Sequence, residues 1–188
     1  MTYSSSDLVF SFLKTARTGK IEGETDSDDE ETKGKDFEVL ICETAPEFSG
    51  HATAKRLSEA GIQANLTTDA SVYALMSGVD KVVISTHAIM ANGGLVANAG
   101  ALNICLAAKE HSIPVIVISA MYKLTPMYPF DPMELNELLA PTTILNYEDG
   151  DCPGNIEAVV PAFVYVPPEL ISLFITNQGG FTPNYIYR

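Results

Sequence analysis

Residues Val79 to Gly100 constrain the fold of this chain more than any other stretch. Lys81 to Ser85 is a short, mostly β-branched run, the pattern of a parallel strand buried on both faces. Asn92-Gly93-Gly94 breaks the pattern as a turn, because glycine accepts backbone angles that other residues resist. Beyond the glycines, the spacing of Leu102, Cys105 and Leu106 predicts a small-residue helix over Ala97 to Lys109. Strand, Gly-rich loop and helix N-terminus in that order make a common ligand site of open α/β sheets, since free backbone N–H groups there attract anions.

The same alternation runs along the rest of the chain. Met1-Thr2-Tyr3 reads as the tail of a strand. Ser6 is an N-cap candidate with Asp7 in the first turn, and Val9, Phe10, Phe12, Leu13 and Ala16 give apolar faces to a helix over residues 6–18. Phe37 to Cys42 is a buried-strand pattern, ended by Glu43-Thr44-Ala45-Pro46. Ser49-Gly50 leads into a helix carrying Ala54, Leu57 and Ala60 and stopped by Gly61. Ile62 to Thr67 is a short strand, and Asp69 is expected to cap a helix over Ala70 to Met76. Ile113 to Ser119 is another buried strand, with Pro114 at its start, where no ladder donor is lost. After Tyr122 the pattern loosens. Glu134 to Leu139 reads as a short helix, and Phe163 to Pro168 and Leu173 to Thr176 as short strands. Alternating strands and helices imply an α/β fold, a mostly parallel open sheet with helices on both faces.

The 188 residues, 46% of them hydrophobic, suffice for one domain with a real core. The net charge of −13 argues against direct nucleic-acid binding, which needs a basic face. More than half of that charge comes from seven carboxylates clustered between Glu22 and Glu31. Residues 20–36 have almost no apolar side chains and are expected to form a disordered acidic insert. The plain reading is a solvated loop. The alternative is a phosphoacceptor at Ser27, which acidic residues follow directly. Cys42, Cys105 and Cys152 are far apart, so neither a zinc site nor a disulfide framework is indicated. Cys42 and Cys105 read as small core residues. No apolar run approaches bilayer-spanning length, so no membrane contact and a reducing cytoplasmic location are expected. Tyr165, Phe174, Phe181, Tyr185 and Tyr187 crowd the late part of the chain. They suit either a partner interface, where Tyr is enriched, or packing over the open edge of the sheet.

Several of these segments carry a resemblance. Glu43-Thr44-Ala45-Pro46 with Ser49-Gly50, Thr68-Asp69-Ala70, Val79 to Ile84, Ala91 to Gly94, and Ala107-Ala108-Lys109 resemble the carboxy-terminal Rossmann-like domain of one superfamily. It unites sugar-phosphate aldose–ketose isomerases (of methylthioribose-1-phosphate and ribose-1,5-bisphosphate) with the regulatory subunits of translation initiation factor 2B. Met121 to Pro126, Tyr165 to Leu170 and Ile175 to Arg188 are similar to the beta members of the latter group. The resemblance implies a single Rossmann-like domain over 1–188. The family's helical amino-terminal domain, which precedes the position matching Met1, would be absent.

The resemblance also bears on catalysis. The isomerases place an acidic residue where this chain has His87, Asn-Lys where it has Ala97-Asn98, and Gln where it has Ser49. Their reactive Cys lies upstream of Met1. Losing the acid, the thiol and a phosphate-binding cation together removes both chemistry and substrate affinity. No catalytic residue, cofactor or metal is therefore expected. His87 reads first as a loop residue with a satisfied hydrogen bond, then as an interface contact, and last as a general acid–base. Glu43, Ser49, Asp69, His87, Asn92, Gly93 and Gly94 would line a vestigial ligand pocket, with Glu43 accepting backbone N–H bonds at a strand end. The implied role is a regulatory or scaffold subunit of the guanine-nucleotide exchange complex for initiation factor 2. Its expected partners are the delta and other subunits of factor 2B, and initiation factor 2 itself. Tyr165, Val166, Pro167, Pro168, Glu169, Leu170, Asn177, Phe181, Tyr185, Tyr187 and Arg188 are the expected interface. The enzyme-class alternative is a sugar-phosphate isomerase working with His87. A third reading is a sensor binding a phosphorylated metabolite at the helix start expected after Gly94.

Overall fold

A computed structural model of the chain describes residues 1–19, 34–130, 136–145 and 156–187. The first strand, β1 (Thr2–Tyr3), is an interior strand of a seven-stranded sheet. β2 (Glu38–Cys42) and β3 (Gln63–Thr67) extend the sheet on one side of it. β4 (Val82–Ser85), β7 (Val115–Ile118) and β9 (Leu173–Thr176) extend it on the other. These six are parallel, and β10 (Gly179–Phe181) adds an antiparallel edge beside β9. Strand order thus reverses between β1 and β4, the switch point at which open α/β sheets form their crevice.

Strand periodicity sends alternate side chains into two cores. Val39 and Ile41 of β2 face α1 (Asp7–Thr18) and α2 (Ser49–Glu59), packing on Val9, Leu13 and Leu57. Val82 and Ile84 of β4, with Val115 and Val117 of β7, face the opposite layer. There they meet α3 (Val72–Met76) and α4 (Ala101–Glu110) through Met76, Ile104 and Cys105. Ser6 caps α1 as expected, its Oγ accepting from the Val9 N–H at 3.5 Å. Gly19 closes that helix in the left-handed conformation. The acidic stretch then leaves and re-enters at one place, because the Lys35 N–H reaches back to the Ala16 carbonyl at 3.0 Å and Asp36 pairs with Arg17.

Three expectations need correction. The helix over Ala97 to Lys109 begins only at Ala101. The segment after the glycines is instead β6 (Leu95–Asn98), paired antiparallel with β5 (Ala88–Ile89) and β8 (Phe163–Val166) in a separate three-stranded sheet. Gly100 sets the boundary. Its φ of +100° is foreign to a helix, and a Cβ there would collide with the Tyr3 ring. The helix expected over Glu134 to Leu139 is not seen where it can be assessed. Leu138 lies extended in a bridge to Pro161, and Asn136 ties its side chain to both backbone groups of Phe163. Asp69, finally, starts a 3-10 turn (Asp69–Ser71) ahead of α3 but does not cap it. Its carboxylate points elsewhere.

Candidate functional site

The carboxyl ends of β1, β2 and β3 converge on a set of short polar side chains. Asp69 follows β3 and reaches across to the loop after β2. There its two oxygens accept the N–H groups of Thr44 at 3.1 Å and Ala45 at 2.7 Å. Asp69, rather than Glu43, is therefore the carboxylate that takes the backbone donors at this strand end. The Glu43 backbone joins the scaffold instead, donating to the Thr67 carbonyl and accepting from the Gly50 N–H. Thr44 Oγ1 accepts from the Ser4 N–H at 3.0 Å. Ser4 Oγ in turn accepts from Asn98 Nδ2 at 2.8 Å. The Tyr3 hydroxyl donates to the Ala99 carbonyl. Burial, reinforced by the Asp69 carboxylate, holds the Tyr3 phenol above its usual pKa. The same two causes, in that order, push the Cys42 thiol up to about 12. Ser49 Oγ is buried beside this network and makes no hydrogen bond. The carboxyl ends of the strands on this side of the switch point are thus cross-linked by the chain's own side chains and backbone. Where the resemblance leads one to look for a substrate-holding pair, Ala97 is buried in the core and Asn98 is engaged by Ser4.

His87, Asn92, Gly93 and Gly94 lie on or beside the hairpin formed by β5 and β6, whose second strand also carries Asn98. His87 is exposed, its ring stacked on Phe163 with centroids 4.6 Å apart. Its backbone N–H donates to the Val96 carbonyl at 2.8 Å. Next to it, the carbonyl of Thr86 accepts from Lys123 Nζ at 2.6 Å, and burial lowers the pKa of that ammonium. The glycines are a hairpin turn, not an anion cradle before a helix. Gly93 takes φ +79° and lies against the Pro183 carbonyl, leaving no room for a Cβ. At Gly94 a Cβ would fall 2.6 Å from the Tyr165 ring and hydroxyl. Asn92 locks this arrangement, donating from Nδ2 to the Tyr165 hydroxyl at 2.7 Å and accepting the Gly94 N–H on Oδ1 at 3.0 Å. The space beside the turn is filled by Tyr165 and the carboxy-terminal segment. The helix start that an anion sensor would need after Gly94 does not exist.

Of the seven expected pocket residues, Glu43, Ser49 and Asp69 thus stand after β2 and β3, and His87, Asn92, Gly93 and Gly94 on or beside the β5–β6 hairpin. An open groove of about 770 Å³ on the α3–α4 face takes in Asp69 but none of the other six. Its walls include Ala70, Tyr73, Asn103, Leu106 and Lys109. Tyr73 and Leu106 stay 60% and 50% exposed, an unusual pair to leave facing water. Sequence reading missed this surface: the spacing counts Leu106 on the apolar face of its helix, yet it is half-exposed, while Tyr73 stands on the other predicted helix.

The expected interface residues also divide. Val166 and Leu170 are buried in the main core, so that segment offers Glu169 with parts of Tyr165, Pro167 and Pro168. Asn177 accepts the Met121 N–H on Oδ1 at 3.1 Å while remaining exposed. Phe181 is half-buried, whereas Tyr185 and Tyr187 are exposed, the latter donating to the Thr125 carbonyl. Phe174, by contrast, is fully buried core. Ser27 and Arg188 lie outside the described residues. Among the described residues, no cluster of His, Cys, Asp and Glu has the makings of a metal site, and no helix is long and apolar enough to cross a membrane.

A doubly wound sheet with an accessory antiparallel sheet defines a Rossmann-like domain. The same architecture occurs in the Pyrococcus horikoshii OT3 translation initiation factor eIF-2B. That structure superposes with a TM-score of 0.79 at 24% identity, over 100% of this chain and 59% of that one. Residues 1–183 match the initiation factor 2 subunit family, and the chain belongs to it. It is 46% identical to the Dictyostelium discoideum translation initiation factor eIF2B subunit beta, over 100% of this chain and 45% of the relative. It is also 33% identical to the Pyrococcus furiosus ribose 1,5-bisphosphate isomerase, over 97% of this chain and 52% of that protein. The chain thus spans about half the length of the curated relatives it matches.

Proposed function

We propose that the chain acts as a non-catalytic, regulatory scaffold within the guanine-nucleotide exchange complex for initiation factor 2, in the cytoplasm. It pairs with the delta homologue through their Rossmann-like domains and contributes a contact surface toward initiation factor 2. The observation that carries this reading is the hydrogen-bond network at the carboxyl ends of β1, β2 and β3. Ser4 bonds Thr44 and Asn98, Asp69 takes the Thr44 N–H, and Tyr3 bonds the Ala99 carbonyl, so these groups are already engaged with the chain itself. An enzyme needs its reactive groups preorganised around an open space. Here His87 stacks on Phe163 instead, and among the described residues no carboxylate or thiol is bonded to it. The higher identity to a factor subunit than to an isomerase supports the same conclusion.

The exposed residues Glu169, Asn177, Tyr185 and Tyr187, with half-buried Phe181, form the contact surface in this reading, since aromatic side chains without charge suit an interface core. Co-expression with a tagged delta homologue tests it. The chain is expected to co-purify with the delta homologue, and Tyr185→Glu is expected to weaken capture at least tenfold while circular dichroism shows the fold retained. Failure to co-purify, together with turnover of ribose 1,5-bisphosphate by the purified chain, would overturn the scaffold in favour of the enzyme.

A further inference from the structure

No further inference is drawn: the strongest candidate, the aromatic face that Tyr122, Tyr128, Tyr185 and Tyr187 form where the loop after β7 meets the carboxy-terminal segment, carries nothing beyond the interface already proposed, because nothing in the structure shows what covers it.

Discussion

Gly93→Ala and Gly94→Ala separate a structural hairpin from an anion cradle. At Gly93 the substitution meets two penalties. Alanine at φ +79° is strained by about 1–2 kcal/mol. Its Cβ also overlaps the Pro183 backbone carbonyl, and forcing an extra carbon into a packed site costs roughly 1–3 kcal/mol. The sum is roughly 2–5 kcal/mol, or about 5–15 °C in melting temperature for a domain of this size. At Gly94 no backbone strain arises. The Tyr165 ring must swing away, losing its hydrogen bond to Asn92, worth about 1 kcal/mol, with some repacking. Gly93→Ala is therefore expected to cost clearly more than Gly94→Ala in urea unfolding followed by circular dichroism. It should also loosen the carboxy-terminal turn. The Tyr185 amide, which donates to Thr182 at 2.9 Å, should exchange faster in Gly93→Ala and not in Gly94→Ala. A cradle for phosphate predicts something else: inorganic phosphate or ribose 5-phosphate would raise the melting temperature of the unmutated chain, and both alanines would abolish the effect. Equal costs at the two glycines, or such a ligand-dependent shift, would refute the hairpin argument.

Other consequences follow from the same contacts. Asp69→Asn leaves one acceptor for two backbone donors, and the site is partly exposed, so a loss of about 1–2 kcal/mol in denaturant unfolding is expected. Burial pushes the Cys105 thiol to about 12, as at Cys42, so iodoacetamide at pH 8 should label neither until the chain unfolds. The buried thiols and the Tyr3 phenol keep their protons in the folded chain at a pH where the unfolded chain gives them up. Stability should therefore hold up to the ordinary thiol pKa of 9.0 and fall above it, as pH titration of the unfolding midpoint would reveal. Replacing residues 20–33 with three Gly/Ser residues should preserve the fold, because the flanking chain meets at Ala16 and Lys35. A shorter closure should raise stability by roughly 1 kcal/mol, and a lowered melting temperature would show that the acidic stretch makes contacts of its own.

What the sequence discloses and what it hides follow one physical divide. β2, β4, β7 and α1 were legible because their determinants are local: β-branched runs of strand length, a Ser N-cap, a glycine at the helix end. The errors sit where the deciding partner is far along the chain. Leu95 to Asn98 has the alternating burial of a strand, but its pairing partner is β8, and the small residues around it imitate a helix. Gly100 looks like one more small residue until Tyr3 is placed against it. Asp69 stands where an N-cap belongs, yet the free N–H groups nearest to it are on Thr44 and Ala45, twenty-five and twenty-four residues away. The Asn92–Tyr165 bond spans 73 residues. The candidate site is built almost entirely from such distant pairs, so composition and spacing could name several of its members without showing that they face one another. Once they do, most of the crevice's polar groups, Ser49 Oγ apart, already have a partner, and a ligand would have to replace satisfied hydrogen bonds rather than make new ones. That exchange gains little free energy, which is the physical argument behind the scaffold role we propose.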